Sequence, residues 1–139
     1  MLSVLCLTAT LASQTRPSDQ PQARQVADSF MSDLVSNRIA NAIAKYETAR
    51  YKNSIDARAV QGMIRLCGRP LAIKLLNNGE PEVGSDRLAN DRSQTRLTFS
   101  YKATRTTKNP QCGKTKCLFH VDVQPSKDGY LLTGFGCTP

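Results

Sequence analysis

The hydrophobic pattern of this chain changes from helical spacing to strand spacing at one step, Gly68-Arg69-Pro70. Before this step, apolar residues recur every three or four residues, whereas after it they alternate with polar residues. A glycine followed two residues later by a proline is typical of a helix end, because proline cannot continue the helix. The sequence therefore predicts an α+β fold in which N-terminal helices pack against one antiparallel sheet.

About three helices are predicted before this step. The first begins at Pro21, which suits the first helical position, and its apolar stripe ends at Val35. An Ala-rich stretch from Ile39 to about Ala49 forms either a second helix or a kinked continuation of the first. The third helix ends at Cys67, which shares a stripe with Val60, Met63 and Ile64 and is therefore expected to face the core.

A meander of about four strands is predicted after the step. Leu71 to Leu76 forms the first strand and ends at the turn signal Asn77-Asn78-Gly79, which leaves residues 80–91 irregular or weakly extended. Residues 96–104 alternate cleanly and form the second strand, with an inner face of Leu97, Phe99, Tyr101 and Ala103.

The last two strands form a predicted hairpin from Cys117 to Cys137, around a turn cluster that contains Gly129. If Lys127 is the centre of the turn, Phe119 lies opposite Phe135, and Cys117 lies opposite Cys137. Strand parity then places Phe119, Val121 and Val123 on the core face and turns His120 and Asp122 outward.

The first 13 residues form an uncharged apolar run that ends in small residues, which is typical of a signal peptide. Cleavage is expected near Ala12 or Ser13, followed by a flexible leader (residues 14–20) and a single domain (residues 21–139). No basic residue precedes the run, so the true start of translation is open, and a buried N-terminal strand is the alternative. The run is too short to span a bilayer.

Four cysteines remain after such cleavage: Cys67, Cys112, Cys117 and Cys137. An even number in an exported domain predicts two disulfides. We expect the pairs Cys112–Cys117 and Cys67–Cys137, because the first closes a local loop and Cys67 faces the sheet; the alternative is Cys117–Cys137 with Cys67–Cys112. The Cys112-x4-Cys117 spacing is wider than common zinc motifs, so no metal is predicted.

The helix-then-sheet order, Cys-Gly-Arg-Pro-Leu at residues 67 to 71 and Asp-Gly-Tyr-Leu-Leu-Thr-Gly-Phe at residues 128 to 135 resemble the nuclear-transport-factor-two-like, cystatin-like superfamily, in particular its small exported bacterial members. The resemblance implies a cone-shaped domain with a pocket between the first helix and the sheet. The inward-facing side chains expected around such a pocket are Phe30, Leu34, Tyr46, Phe99, Tyr101, Phe119 and Phe135.

The chain shows little sign of catalytic chemistry. Asp33 and Glu47 fall off the apolar stripes, so no inward carboxylate is expected, and His120 is predicted to have no serine or thiol near it to activate. Because family members include ketosteroid-isomerase-like and cyclase-like enzymes, an enzyme that uses Tyr46 or Tyr101 is the alternative. The predicted function is an exported, non-catalytic domain that binds a small apolar ligand or a protein partner, with a homodimer as one possibility and no cofactor.

Charge suggests a third function. The formal net charge is +8, and Lys102, Arg105, Lys108, Lys114 and Lys116 gather around one predicted loop. Such a surface attracts anionic polymers of the cell envelope. Nucleic acid is not expected as a partner, because no aromatic residues interleave these charges to stack on bases.

Overall fold

The computed structural model describes residues 20–47, 57–87, 92–107, 117–127 and 129–139. These residues form the predicted order of helices followed by a curled antiparallel sheet, which confirms the α+β fold. The elements are α1 (Gln20–Val35), α2 (Ile39–Glu47), α3 (Ala57–Cys67), β1 (Pro70–Leu75), β2 (Glu82–Arg87), β3 (Ser93–Thr106), β4 (Cys117–Ser126) and β5 (Gly129–Thr138). The predicted signal peptide lies outside the described residues.

The end of α1 separates it from α2. Asn37 adopts a left-handed conformation with φ of 58°, its N–H donates to the Leu34 carbonyl at 3.1 Å, and the Arg38 N–H donates to the Asp33 carbonyl at 2.7 Å. This pair of bonds is a Schellman motif, which satisfies the last carbonyls of a helix and turns the chain. The stretch after Val35 is therefore a second helix and not a kinked continuation of the first. The predicted stop after Cys67 is also present, with Gly68 at φ of 72°.

The sheet has one more strand than the sequence predicted. Its order is β1-β3-β4-β5, and β2 pairs with β3 beside β1. β3 is 14 residues long, and β1 pairs only with its C-terminal part. The backbone groups of the other half of β3 require partners, and β2 supplies them along residues 93–98. Residues 82–87, predicted as irregular or weakly extended, are therefore a strand.

The hairpin register differs from the prediction. Phe119 lies opposite Cys137, Val121 lies opposite Phe135, and Ser126 lies opposite Gly129, so the centre of the turn is half a residue beyond Lys127. A register shift follows between Asp122 and Val123, where the strand β5 contains one extra residue. A one-residue shift at the turn would by itself exchange the inward-facing and outward-facing residues of β5 relative to β4. The bulge shifts the register by one more residue and so exchanges them back. The predicted core face of β4 is confirmed by the burial of Phe119, Val121 and Val123, although the predicted pairs were wrong.

The core lies between α1 and the inner face of the sheet. α1 contacts β1, β3, β4 and β5, while α3 lies against β5. The buried hydrophobic side chains are Ala23, Ala27, Phe30, Met31, Leu34, Ala42, Ile43, Cys67, Leu97, Phe99, Tyr101, Ala103, Cys117, Phe119, Val121, Val123 and Leu132. Leu132 was not on a predicted core face, and it is buried because the register shift in β5 places it opposite Val123. In the described part of the chain, no helix is long and apolar enough to cross a membrane.

One disulfide joins the helices to the sheet. Cys67 at the end of α3 is bonded to Cys137 near the end of β5, with an S–S distance of 2.07 Å, as predicted from the sequence. Cys117 is also disulfide-bonded. Its predicted partner, Cys112, lies outside the described residues, so that pair stays a prediction. The alternative Cys117–Cys137 pair is wrong, because Cys137 is bonded to Cys67.

Candidate functional site

The aromatic residues predicted to surround a pocket lie in the packed core. Phe30, Leu34, Phe99 and Phe119 are at most 1% exposed. Phe135 meets the Phe30 ring edge-on at 5.2 Å between centroids and stacks on Phe119 at 5.8 Å. These side chains fill the space between α1 and the sheet, and none of them lines the cavities described below. Tyr46 lies in α2, but its side chain is outside the description.

Tyr101 ties the sheet to α1. Its hydroxyl donates to Asp28 Oδ1 at 2.7 Å, and Arg24 Nε lies 3.2 Å from Asp28 Oδ2. Burial of the ring and the neighbouring Asp28 carboxylate raise the pKa of Tyr101 well above its usual value of 10. The phenol therefore remains a neutral donor, and it spans the two layers of the fold.

The larger cavity, with a volume of about 630 Å³, lies beside the first half of α1. Its other wall is the turn between β1 and β2, where Asn78, Gly79 and Glu80 lie. Gly79 has φ of 84°, which favours glycine in this turn, and a Cβ there would lie 2.8 Å from Arg24 Nη1, so the end of the arginine side chain would have to shift. Most of the residues that line this cavity are polar.

A smaller cavity of about 320 Å³ lies between α1, α2 and β5, and we name it the α1–α2–β5 cleft. Val26, Tyr130, Leu131 and Leu132 form an apolar wall. The polar lining comes from α1 and α2. The complete set of lining residues is Gln25, Val26, Ser29, Lys45, Tyr130, Leu131 and Leu132.

A buried carboxylate lies directly behind the polar end of this cleft. Asp33 is 3% exposed and accepts hydrogen bonds from Arg38 Nε at 2.8 Å and from Lys45 Nζ. Lys45 Nζ also donates to Ser29 Oγ at 2.6 Å. Burial opposes ionisation of Asp33, but the hydrogen bonds and charges of Lys45 and Arg38 outweigh it and lower the pKa of this carboxyl.

The expectation that no carboxylate faces inward was therefore wrong for Asp33. Its position off the apolar stripe hid its burial, because α2 folds back and covers that side of α1. Ser29 and Asp33 are four residues apart and lie on one face of α1, which is the only local signal of the cluster. The side chain of Glu47, the other carboxylate in question, is outside the description.

His120 and Asp122 face away from the core, as predicted. Among the described residues, no hydrogen bond joins these two side chains, and each binds across the sheet instead. His120 Nδ1 lies 3.0 Å from Ser100 Oγ, and its Nε2 lies 3.2 Å from Thr138 Oγ1, while Asp122 accepts from Thr98 Oγ1 at 2.6 Å. The expectation that no serine lies near His120 was wrong, since Ser100 is its register partner on β3. These bonds link three strands on the outer face.

The structure describes only some of the residues of the predicted basic cluster, and only some of those that a zinc site at Cys112 and Cys117 would need. Lys102 is exposed on β3, whereas the side chain of Arg105 and the residues Lys108, Lys114 and Lys116 lie outside the description. Cys117 is held in a disulfide and is therefore not available as a thiolate ligand. No group of three or more metal-ligating side chains occurs within the described ranges.

Comparisons of the chain with protein-family models, with curated proteins and with solved structures found no match. The nuclear-transport-factor-two-like resemblance therefore stays a prediction.

Proposed function

We propose that this protein is an exported, disulfide-stabilised, non-catalytic domain that binds a small, largely apolar ligand in the α1–α2–β5 cleft. The observation that carries this proposal is the composition of the cleft, which combines an apolar wall from Val26, Tyr130, Leu131 and Leu132 with one polar end. Small-molecule sites are typically concave and mostly apolar, with a few polar groups that orient the ligand. A volume of about 320 Å³ suits a small ligand.

The position of the cleft supports this assignment. The interior between α1 and the sheet is filled by aromatic rings, so a ligand that entered there would have to displace packed side chains. The cleft instead lies where two helices meet the last strand. Its polar end is held in place by the Asp33 cluster, which fixes the direction of Lys45 and Ser29 without any ligand.

The disulfides support export. Cys67–Cys137 is formed, and Cys117 is also oxidised. Disulfides of this kind persist in oxidising compartments and are rare in the cytosol. Together with the apolar run at residues 1–13, they favour a periplasmic or extracellular domain. A mature N-terminus near Ala12 or Ser13, measured by mass spectrometry of the native protein, would support this; an intact N-terminus would contradict the cleavage.

Binding is favoured over acid–base catalysis by the positions of the titratable groups. Tyr101 is 1% exposed, and its hydroxyl donates its proton to Asp28. The hydroxyl is therefore not available to a ligand in the larger cavity. Both ring nitrogens of His120 are within hydrogen-bond distance of hydroxyl groups on the outer sheet face. Asp33 in turn has a cation on each carboxylate oxygen.

The proposal is tested by titrating the oxidised, full-length, ¹⁵N-labelled protein with octan-1-ol, a neutral apolar probe. Amide shifts are expected to change at residues 26, 29, 131 and 132, and Leu131→Asp should weaken binding about tenfold because it places a charge on the apolar wall. Val83→Asp is the matched control, since Val83 is a strand residue that is 61% exposed and lies outside the cleft. Shifts spread over the surface, or equal effects of the two variants, would refute the proposed site.

A further inference from the structure

We infer that the larger cavity, between α1 and the turn at Asn77–Gly79, is a second binding site and that its ligand is a neutral saccharide. This ligand is distinct from the apolar ligand proposed for the α1–α2–β5 cleft. Three properties of the cavity support a saccharide: polar side chains that lack protein partners, a lining that does not favour an anion, and walls that are held in place without a ligand.

Polar side chains converge on this cavity from both walls. Gln20, Gln25 and Ser32 lie on α1, whereas Asn78 and Glu80 lie in the turn or directly after it. Within the described part of the chain, none of these five side chains makes a hydrogen bond or an ion pair. An apolar ligand would remove such groups from water without offering them a partner, which costs free energy. A ligand with many hydroxyl groups offers each of them a hydrogen bond.

The hydrogen-bonding capacity of these side chains also matches a saccharide. Three of them end in an amide and one in a hydroxyl, and both groups can donate as well as accept. Sugar hydroxyl groups have the same dual capacity, so they can pair with an amide in either direction. A carboxylate ligand only accepts and an ammonium ligand only donates, so either would leave part of this capacity unused.

The charge of the described lining disfavours an anionic ligand. Arg24 is its one cation, and Arg24 Nε already lies 3.2 Å from Asp28 Oδ2. Glu80 adds a second carboxylate, so these residues carry one positive and two negative formal charges. The chain as a whole has a formal charge of +8, so this cavity differs from the average surface of the protein. Glu80 is exposed, and its carboxylate can accept from a sugar hydroxyl while water screens its charge.

Both walls of the cavity keep their positions without a ligand. The Tyr101 hydroxyl donates to Asp28 at 2.7 Å and holds α1 against the sheet. The N–H groups of Gly79 and Glu80 donate to carbonyls three residues earlier at 3.0 and 2.9 Å and fix the turn. The guanidinium of Arg24 lies against Gly79 and so connects the two walls. Binding at such a site costs less conformational entropy than binding that has to order a loop.

The test compares three probes of different charge: cellotriose, which is neutral, trigalacturonate, which is anionic, and cadaverine, which is a dication. Each is titrated at pH 7 into the oxidised, full-length, ¹⁵N-labelled protein at about 0.15 M salt, which screens the overall positive charge beyond about 8 Å. The backbone amides of residues 32, 78, 79 and 80 and the side-chain amide of Asn78 report binding, because these residues do not line the cleft. Cellotriose is expected to bind about tenfold more tightly than either charged probe.

Asn78 and Asn77 provide a matched pair of variants. Both residues have a left-handed backbone, with φ of 53° and 54°, which glycine adopts readily, so either can be replaced by glycine with the turn retained. Asn78 lines the cavity, whereas Asn77 is not part of the lining. Asn78→Gly should weaken cellotriose binding about three- to tenfold, which is the contribution of one or two hydrogen bonds, and Asn77→Gly should leave it within about twofold.

Three outcomes would overturn the saccharide site: no shift of these signals with cellotriose, equal or tighter binding of trigalacturonate or cadaverine, and equal effects of the two glycine variants. The proposed function is tested separately, since residues 26, 131 and 132 line only the cleft and report on octan-1-ol. A response of those residues to octan-1-ol, with no response of the larger cavity to cellotriose, would refute the second site alone.

Discussion

Replacing Cys67 and Cys137 with alanine is expected to lower the free energy of unfolding by about 4 kcal/mol. The bond joins the end of α3 to the end of the chain across a sequence separation of 70 residues. Without it, the unfolded chain gains the freedom to separate these two points. In the native state, the helix layer would then be held to β5 by packing alone.

The magnitude follows from the length of the closed loop. In the chain-entropy model, closing a loop of about 70 residues removes about 15 cal/mol/K from the unfolded state, which corresponds to about 4 kcal/mol at 25 °C. Domains of this size are typically stable by about 5–15 kcal/mol, so the loss is a large fraction of the total. Alanine is preferred to serine because Cys67 is completely buried, and a hydroxyl there would lack a partner.

The assay is urea unfolding of the full-length oxidised protein and the double variant, with midpoint and slope fitted separately. The matched control is the Cys112→Ala/Cys117→Ala double variant. Its predicted loop of about five residues should contribute only about 2 kcal/mol in the same model. A loss below about 1 kcal/mol for the Cys67 and Cys137 pair, or a larger loss for the control pair, would refute the loop-length argument.

Two further perturbations test the Asp33 cluster and the outer sheet face. Asp33→Asn should lower stability by about 2 kcal/mol at pH 7, reduced from the value for buried pairs because Arg38 and Lys45 are half-exposed. Because the folded pKa of Asp33 lies below its usual value of 3.8, this difference should be complete above about pH 4 and shrink as pH falls through the folded pKa. Gly134→Ala should lower stability by about 1–3 kcal/mol, because its Cβ would collide with the carboxylate of Asp122 and lie 3.1 Å from the Asp122 Cβ.

Both perturbations have internal controls. Urea midpoints of wild type and Asp33→Asn, measured from pH 7 to pH 2, should converge at the acid end; a constant gap would show that ionisation of Asp33 does not stabilise the fold. Gly62→Ala is the control for Gly134→Ala, since a Cβ at Gly62 meets nothing within 4 Å and alanine favours helix α3 by about 0.5–1 kcal/mol. Equal effects of the two glycine variants would contradict the packing argument.

The features that could be predicted from the sequence depend on neighbours along the chain. The apolar stripe of α1 and the alternation of β3 follow from the periods of the helix and the strand, so the inner faces were predictable. Gly68 and Pro70 mark the end of α3 for local steric reasons. The Cys67–Cys137 bond followed from the same patterns, because each cysteine falls on a core-facing position of its own element.

Features that depend on how elements pair were not predictable in the same way. β2 has a weak pattern of its own and forms because β3 extends beyond β1. The pairing of Ser100 with His120 depends on the register between β3 and β4. The predicted hairpin pairs were wrong because the turn cluster around Gly129 indicates a turn but not its exact register, and because the bulge opposite Asp122 and Val123 was not predicted.

The candidate site shows most clearly the difference between features that the local sequence predicts and features that depend on how the elements pack together. Periodicity alone determined that helices precede the sheet and which side chains form the core, because a helix and a strand each bury one face. Only the tertiary structure decided that these aromatic side chains fill the interior and that the cleft lies between α1, α2 and β5. It also decided that Asp33 is buried, because its two cations come from the Arg38–Lys45 region and reach it only after α2 folds back along α1.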